Sequence, residues 1–296
     1  MDKAAESIPA IEFRNVSISF DGVQALSNIS FTLHQGEMIC ITGDSQSGKS
    51  VLLRLAIGFL HPDEGEVWVN GENITGLKET ELLDVRRGVM GMVFQENALF
   101  TGQTVFENAA YRLNDLKWPA DEVERAVVEV LTFVGLQDDL DKQAEELSGG
   151  MKRRLELARA LIGWPSIMLF DEPNSGLDPI NAAQVLNLII RARDLHGISS
   201  LYVTKMLHEI SYLANRRAQR DEQGKSFISQ SDQVPGMYVM LLEEGRNAFF
   251  GTPQEFEQSD LPAVQHMLHP VTDAIYSDQE FDDPWEQNRR TKQNLQ

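Results

Sequence analysis

The sequence has little cysteine, no long apolar run and few basic residues for its number of acidic ones. Cys40 is the only cysteine among 296 residues, which excludes a disulfide within the chain and a cysteine-rich metal cluster. No stretch approaches the roughly 18 consecutive apolar residues that a membrane-spanning helix needs, and the segment MDKAAESIPA lacks the basic and apolar regions of a signal peptide. We therefore expect a cytoplasmic globular protein that contacts membranes only through another protein.

The charge balance argues against nucleic acid as a partner. The 26 lysines and arginines are outnumbered by 45 acidic residues, and the net charge of -19 repels a phosphate backbone. Hydrophobic residues make up 42% of the chain, enough for one large core with a small subdomain. Cys40 lies in the apolar run Glu37 to Thr42, where we expect it to pack in that core.

Short apolar or alternating runs predict an α/β fold. The runs Ile11 to Phe20 and Ala25 to Leu33 flank Asp21-Gly22, a pattern typical of an antiparallel hairpin. The nearly continuous run Glu37 to Thr42 is typical of a strand buried in a parallel sheet and precedes a helical pattern, Val51 to Leu60. Further strands are predicted at Glu66 to Val69, Met90 to Phe94, Ile167 to Phe170, Leu201 to Val203 and Met237 to Leu242.

The middle of the chain is helical in pattern. We predict an inserted helical subdomain from about residue 100 to 164, with helices near Val105 to Leu113, Asp121 to Val134 and Gly149 to Ile162. The polar segment Asn215 to Pro235 is interpreted as an exposed insertion, and a solvated loop is favoured over a partner contact. We place a tail at residues 1–9, the main domain at 10–256 and an extension at 257–296 that becomes polar from about Ser277.

A glycine-rich loop after the strand ending at Thr42 predicts a nucleotide site. The segment Gly43-Asp-Ser-Gln-Ser-Gly48-Lys49-Ser50 fits G-x-x-x-x-G-K-[ST] and opens a helix. Backbone N–H groups and the positive helix end attract phosphate, Lys49 neutralises the β- and γ-phosphates, and the Ser50 hydroxyl suits Mg²⁺. The predicted ATP-binding loop comprises Gly43, Asp44, Ser45, Gln46, Ser47, Gly48, Lys49, Ser50 and Val51.

Two further segments are predicted to bind charged groups of a nucleotide complex. Asp171 and Glu172 follow a buried strand, where Asp171 can hold Mg²⁺ through water and Glu172 can act as general base toward the attacking water. A second anion site is predicted at Ser148, Gly149, Gly150 and Met151, which open a helix whose exposed positions are expected to include Lys152, Arg153 and Arg154. One ATP molecule cannot obviously use two such sites of one chain.

LSGGM, the phosphate loop and LFDEPNSGLDPI together resemble the nucleotide-binding domain of ATP-binding cassette (ABC) transporters, from about Phe13 to Phe256. The resemblance implies a P-loop NTPase fold with an antiparallel β subdomain and an inserted helical subdomain. It also implies a head-to-tail dimer, in which Ser148-Gly149-Gly150 of one chain completes the ATP site of the other. The cofactors implied are ATP and Mg²⁺. The partners implied are a second ATPase subunit, identical or different, and a membrane permease at the cytoplasmic face of the inner membrane.

Further site residues follow from the same resemblance. Phe20 matches the aromatic that stacks on adenine, although a core phenylalanine is the alternative. Gln95 matches the glutamine that contacts Mg²⁺ and the attacking water. The loop across the dimer interface is matched by Ser175, Gly176, Leu177 and Asp178. The permease is expected to dock beside Gln95, against an apolar rim of Leu99, Phe100, Val105 and Phe106, some of which must instead pack the subdomain core.

A finer resemblance is to the lipid-transport ATPases that work with MCE proteins, the Mla-like group. It is carried by Phe94-Gln-Glu-Asn-Ala-Leu-Phe100, Leu147-Ser-Gly-Gly-Met-Lys-Arg-Arg154 and Gly176-Leu-Asp-Pro-Ile180. It implies phospholipid or a related lipid as cargo, an MlaE-like permease and an MCE-domain protein. An ABC importer for another substrate is the alternative. A DNA-maintenance ATPase is disfavoured because no heptads separate the two motifs.

One position departs from the family pattern. Where the switch histidine is expected after the strand Leu201 to Thr204, the sequence has Lys205, and His208 is expected to be an ordinary surface residue. Lysine can contact a γ-phosphate as a point charge but lacks the two nitrogens of imidazole. We therefore hold two hypotheses: Lys205 stabilises charge so that Glu172-dependent turnover persists, or the chain binds ATP, hydrolyses it slowly and serves as a regulatory partner.

Overall fold

The structure is a computed structural model and describes residues 8–96 and 98–269. These residues form two compact units, the first ending at Gln258 and the second beginning at Ser259. The polar region predicted from Ser277 and most of the tail predicted at residues 1–9 lie outside the described residues. In the described part of the chain, no helix is both long and apolar enough to cross a membrane.

The strands and helices alternate along much of the chain. The strands are β1 (Ile11–Phe20), β2 (Val23–Leu33), β3 (Met38–Thr42), β4 (Glu64–Val69), β5 (Glu72–Asn73), β6 (Met90–Val93), β7 (Ile167–Asp171), β8 (Ser199–Val203), β9 (Arg216–Arg220), β10 (Ser226–Gln230), β11 (Met237–Glu243) and β12 (Arg246–Gly251). The helices are α1 (Lys49–Ala56), α2 (Glu79–Val89), α3 (Val105–Asp115), α4 (Ala120–Val134), α5 (Gly149–Leu161), α6 (Pro179–His196), α7 (Leu207–Ala214), α8 (Pro253–Glu257) and, in the second unit, α9 (Pro262–Leu268).

A six-stranded sheet lies at the centre of the first unit, in the order β12-β11-β3-β8-β7-β6. The strands from β11 to β6 are parallel, and β12 pairs antiparallel with β11 at one edge. Every residue of β3, β7 and β8 is buried, which accounts for their continuous apolar runs. Cys40 is fully buried in β3 as expected, and burial raises the pKa of its thiol.

A four-stranded antiparallel sheet, in the order β2-β1-β4-β5, confirms the predicted hairpin. Phe20 pairs with Val23, so Asp21 and Gly22 alone form the turn. Both have positive φ, 51° and 79°, as the common two-residue hairpin turn requires. On the buried face of this sheet, the Phe13 and Phe31 rings stack with centroids 4.7 Å apart.

The predicted helical subdomain is present as α3, α4 and α5, which pack on one another. Helix α3 begins with a reciprocal cap, in which the Thr104 hydroxyl accepts from the Glu107 N–H and the Glu107 carboxylate accepts from the Thr104 N–H. Helix α4 ends at Gly135, whose φ of 70° suits a left-handed cap. The Arg154 guanidinium on α5 donates to the carbonyls of Val134 and Gly135, which lack partners within α4.

The prediction of a solvated loop at Asn215 to Pro235 is wrong. Strands β9 and β10 pair there as an antiparallel hairpin. The Ala218 N–H donates to the Asp194 carboxylate at 2.7 Å, and the Arg193 guanidinium donates to the Arg216 carbonyl at 2.7 Å, which attaches the hairpin to α6. Most of its side chains are exposed, so its pairing leaves little hydrophobic signal in the sequence.

Candidate nucleotide site

The loops that carry the predicted site residues meet at one edge of the central sheet. Strands β3, β8, β7 and β6 are parallel neighbours, so their carboxyl ends lie side by side. The phosphate loop follows β3, Lys205 follows β8, Glu172 follows β7 and Gln95 follows β6. The sheet order therefore brings together residues that are as much as 160 positions apart, from Ser45 to Lys205.

These residues line a cleft of about 330 Å³. Its lining consists of Ala25, Ser45, Gln46, Gly48, Lys49, Ser50, Val51, Gln95, Glu172 and Lys205. Phe20 is absent from this lining among the described residues. It lies at the end of β1 with 43% of its surface exposed, which contradicts the alternative that it is a core residue. Its predicted stacking on adenine stays a prediction.

The phosphate loop has a shape that glycine makes possible. Gly43 and Gly48 have φ angles of 143° and 100°, and Gln46 between them has a φ of 69°. A Cβ atom on Gly48 would lie 2.7 Å from the Ala25 carbonyl oxygen. Within the described part of the chain, no side chain caps the α1 N-terminus that begins at Lys49. Its first N–H groups are therefore available to an anion.

We expect Gly43→Ala to weaken ATP binding by about 5- to 150-fold. A Cβ there would lie 2.1 Å from the Leu242 carbonyl oxygen, so the loop must shift, and strain of this kind costs about 1–3 kcal/mol. Titration with a fluorescent ATP analogue measures the change. Gly22→Ala is the matched control, because Gly22 also has positive φ but would place its Cβ in open space. Wild-type affinity in Gly43→Ala would contradict the loop geometry.

Lys49 is 5% exposed and its ammonium turns back onto the loop. The ammonium donates to the Gly43 carbonyl at 2.8 Å and to the Ser47 hydroxyl at 3.1 Å. Burial, with a smaller contribution from the nearby Lys205 cation, lowers the pKa of Lys49. Because the hydrogen-bond partners of Lys49 among the described residues are neutral, its buried charge would be stabilised further by an anionic ligand, which agrees with the phosphate-binding role predicted for it.

Ser50 and Asp171, two of the three residues predicted to hold Mg²⁺ with Gln95, are in contact. The Ser50 hydroxyl donates to Asp171 Oδ1 at 3.1 Å. Asp171 is 6% exposed, and burial raises the pKa of its carboxyl against the opposing effect of the Ser50 hydrogen bond. A hydroxyl and a carboxylate are the oxygen donors that Mg²⁺ prefers, so this pair fits Mg²⁺ chemically.

Glu172 and Lys205 form an ion pair, with a distance of 2.9 Å between Glu172 Oε1 and Lys205 Nζ. The Glu172 side chain is 15% exposed and the Lys205 side chain 41% exposed. Glu172 has a φ of 44°, and its N–H donates to the Val203 carbonyl at 3.0 Å. This strained backbone turns the carboxylate toward β8 and Lys205. His208 is exposed, as expected for a surface residue.

A buried polar network fixes the turn that carries Lys205. At its centre is Glu209, which is 4% exposed. Its carboxylate accepts hydrogen bonds from the Tyr202 hydroxyl (2.8 Å), the Thr204 hydroxyl (2.6 Å) and the Asn174 amide (2.9 Å). The Thr204 hydroxyl in turn accepts from the Met206 N–H at 3.0 Å. Hydrogen bonds therefore fix the backbone on both sides of Lys205, whose side chain pairs with Glu172.

The predicted signature residues lie outside the cleft of their own chain. Ser148 and Gly149 are exposed, and the Ser148 hydroxyl accepts from the Met151 N–H at 3.3 Å as the cap of α5. A Cβ on Gly150 would lie 2.0 Å from the Asn181 amide oxygen. The Asn181 amide donates to the Asp178 carboxylate, so the signature segment lies beside the predicted interface loop.

The interface loop itself is on the surface. Ser175, Gly176 and Asp178 are exposed and Leu177 is partly buried. Ile180, in the first turn of α6 directly after this loop, is 73% exposed.

Arg153 is not at the surface, as the sequence led us to expect. It is 8% exposed and pairs with Glu156, which is 4% exposed, at an Nη1–Oε2 distance of 2.7 Å. Arg153 also donates to the carbonyls of Phe94 and Gln95. The sequence prediction missed Glu156, although opposite charges three positions apart on a helix were a signal for this pair.

Only some of the residues predicted to form the permease-docking rim lie at the surface. Val105 is fully buried and packs the helical subdomain, so it cannot form part of a docking rim. Leu99 and Phe100 line a surface cleft with Thr101, Ala144 and Glu145. This cleft, beside the segment that carries Gln95, retains the predicted docking role as a hypothesis.

Comparison with known proteins agrees with this geometry. The ABC transporter family matches residues 26–175. The chain is 43% identical over 211 residues to a methionine import ATP-binding protein MetN of Leifsonia xyli, covering 70% of this chain and 62% of that protein. It is 39% identical over 214 residues to a MetN of Carboxydothermus hydrogenoformans, covering 71% and 63% respectively. The chain therefore spans less than two thirds of the length of these relatives.

Solved structures show the same fold. A dimeric, post-hydrolysis structure of the ATP-binding cassette MJ0796 bound to ADP and Pi has a TM-score of 0.68 and 25% identity, covering 82% of this chain and 98% of that one. The structure of cbiO1 of Clostridium perfringens, part of the ABC transporter complex cbiONQ, has a TM-score of 0.71 and 24% identity, covering 88% and 96% respectively. The fold, the motif geometry and the family match agree, and the chain belongs to the ABC transporter family through an ATP-binding domain.

Proposed function

We propose that this chain is the ATP-binding and ATP-hydrolysing subunit of an ABC transporter, and that two such subunits close head to tail around ATP. One observation carries the proposal: the phosphate loop and Glu172 line one cleft, with Asp171 bonded to Ser50 beside it, whereas Ser148 and Gly149 are exposed and do not line it. A second chain is then needed to present its signature residues to the phosphates. The MJ0796 cassette, which shares the fold, is dimeric with ADP and Pi bound.

In this proposal the charged and polar residues of the site have distinct roles. Lys49 and the α1 N-terminus bind the phosphates, and Glu172 accepts a proton from the attacking water. Ser50 and Asp171, with Gln95, would hold Mg²⁺, which supplies charge neutralisation to the phosphates. Among residues 8–96 and 98–269 no group of three acidic, histidine or cysteine side chains forms a metal cage. This agrees with an ion held partly by phosphate oxygens.

We favour active hydrolysis over a degenerate site. The Lys205 ammonium already lies at the edge of the cleft, so its charge is available to the transferring phosphoryl group. It also contacts Glu172, the proposed base, and the two side chains thus form one unit. A slow, regulatory subunit in a mixed dimer is the alternative.

The transported substrate is proposed from the relatives. Both curated relatives described above are methionine import ATP-binding proteins. They support an importer with a permease and a small polar cargo such as methionine, which the sequence left as the alternative, rather than lipid transport with an MCE-domain protein. The proposed location is the cytoplasmic face of the membrane, attached through the permease.

Size-exclusion chromatography with MgATP tests the sandwich. Glu172→Gln should elute as a dimer with ATP and as a monomer without it, because ATP stays uncleaved at the interface. Adding Ser148→Arg should abolish the dimer but leave binding of a fluorescent ATP analogue unchanged, since Ser148 is exposed and outside the cleft. A dimer that persists in the double variant would contradict the head-to-tail arrangement.

The cargo is tested on the transporter isolated through a tag on this chain and reconstituted in vesicles. Methionine in the presence of ATP should change the rate of phosphate release and accumulate in the vesicles. Lipid movement without methionine uptake would restore the lipid-transport hypothesis and contradict the importer.

A further inference from the structure

Buried side chains of the helical subdomain hold the segment that carries Gln95. We call residues 94–96 and 98–100 the Gln95 loop. Arg153 donates to the Phe94 carbonyl at 2.8 Å and to the Gln95 carbonyl at 3.1 Å. Glu156 accepts from the Ala98 N–H at 2.9 Å. Much of the loop backbone is therefore bonded to one helix, α5.

Two more contacts complete the attachment. The Arg159 guanidinium donates to the Ala98 carbonyl at 2.6 Å and lies 5.1 Å from the centroid of the Phe100 ring. At the far end, the buried Asn108 amide pairs with Phe100, accepting from its N–H at 2.8 Å and donating to its carbonyl at 3.1 Å. The position of the loop thus follows the position of the subdomain.

The Arg153–Glu156 pair is an unusual way to hold a loop. Both side chains are more than nine-tenths buried, and removing two charges from water is expensive even when they pair. Burial raises the pKa of Glu156, and the Arg153 charge opposes this. Two apolar side chains at these positions would avoid that cost, but they could not hold the carbonyls of Phe94 and Gln95. The presence of a buried ion pair at this place is thus explained by its hydrogen bonds to the Gln95 loop.

Helix α5 also begins at the signature segment. Ser148 caps it, and Arg153 follows about one and a half turns later. A helix as short as α5 is stiff, so a displacement at one end is transmitted to the other. Gln95, which faces this chain's own cleft, and Ser148-Gly149, which the proposed function assigns to the partner's ATP, are therefore attached to the same rigid element.

We propose that Arg153 and Glu156 are positioning residues, which place Gln95 in its own ATP site and tie that placement to the signature segment serving the other site. This inference rests on the proposed function, because it assumes two ATP sites that share residues. It predicts that the two sites of the closed pair respond to each other through α5. Neither residue touches the nucleotide cleft itself.

The test replaces the pair by apolar residues of similar size, Arg153→Met with Glu156→Met. Replacing a buried ion pair removes its desolvation cost, whereas the loop backbone groups lose their partners, so the two effects oppose each other and the melting temperature should change little. We expect kcat for ATP hydrolysis to fall by about tenfold or more, because a displaced Gln95 disturbs the attacking water, with KM for ATP within about threefold. The Hill coefficient for ATP should fall toward one.

Arg154→Met is the matched control on the same helix. Arg154 caps α4 and does not contact the Gln95 loop in the described residues. Its loss should lower the melting temperature but leave kcat and the Hill coefficient of the folded protein unchanged. A kcat of Arg153→Met/Glu156→Met within twofold of the wild type would overturn the proposal.

A third comparison asks whether the pair acts through Gln95. In a Gln95→Ala background, adding Arg153→Met and Glu156→Met should have little further effect on kcat, because coupled residues are not additive. If the full loss recurs in that background, the pair acts on something other than Gln95. Glu156→Gln is the variant to use if the double replacement does not fold. It keeps its shape and an acceptor for the Ala98 N–H, and its kcat should fall about threefold or more.

Hydrogen exchange separates this inference from the proposed function. In the double variant the Gln95 loop should lose protection, in particular at the Ala98 amide, whereas Arg154→Met should retain it. This readout requires no hydrolysis. Unchanged protection would overturn the inference even in an active enzyme, and lost protection in a protein whose wild type never hydrolyses ATP would overturn the proposed function instead.

Discussion

Glu172→Gln should reduce ATP hydrolysis by about 10²- to 10⁴-fold and leave ATP binding intact. The carboxylate is the group placed to accept a proton, at the end of β7 and beside the Ser50–Asp171 pair. Glutamine has the same shape but cannot take that proton at neutral pH. Phosphate release gives the rate, and titration with a fluorescent ATP analogue gives the affinity, which should stay within about threefold because Lys49 and the α1 N-terminus are unchanged.

The control removes a carboxylate that does not line the cleft. Glu222 is exposed in the turn between β9 and β10, so Glu222→Gln should hydrolyse ATP at the wild-type rate. If Glu172→Gln retained more than a tenth of wild-type activity, another base would be needed and the assignment of Glu172 would fail. If the wild type showed no activity that depends on Glu172, the slow, regulatory alternative would replace active hydrolysis.

Lys205→Met should lower hydrolysis by about 10²-fold, the second largest effect we expect. Methionine keeps much of the length of lysine but has no charge, so it can neither stabilise developing phosphoryl charge nor hold Glu172 at 2.9 Å. Single-turnover hydrolysis measures the chemical step. Affinity for ATP should fall less than the rate, since Lys49 remains in the phosphate loop.

The matched control for Lys205 is another lysine in an ion pair. Lys142 Nζ lies 2.6 Å from Asp139 Oδ1 on the surface of the helical subdomain, and Lys142→Met should change neither rate nor affinity. A Lys205→Met protein that hydrolyses ATP as fast as the wild type, or faster, would show that Lys205 only restrains Glu172. Lys205→His then tells whether imidazole restores the rate at the same backbone position.

The fold and the cleft follow from the sequence where hydrophobic pattern and topology determine structure. The apolar runs of β3, β7 and β8 predict parallel strands, and such strands present the residues after them along one edge. This is why Lys49, Asp171 and Glu172 were found together as expected. The ion pair between Glu172 and Lys205 required one more fact, that β7 and β8 are neighbours, which no local pattern contains.

Structure held by polar contacts was predicted poorly. The β9–β10 hairpin has few apolar side chains, and its pairing depends on backbone hydrogen bonds and on Arg193 and Asp194 of α6. Helix α2 was missed because Leu82 is its only fully buried apolar residue, which leaves a weak periodic signal. Arg153 was placed at the surface because charged residues usually lie there, and its partner in the Gln95 loop is backbone.

Cys40 has a practical consequence for experiments on this protein. Its thiol is buried in the middle of the central sheet and resists ionisation, so it should not react with maleimides while the sheet is intact. A cysteine introduced at an exposed position outside the proposed interface, such as Glu222, could then be labelled selectively without removing the native one. Spin labels at this position on two subunits would report the approach of one subunit to the other, while slow labelling of Cys40 would count the molecules whose central sheet has opened.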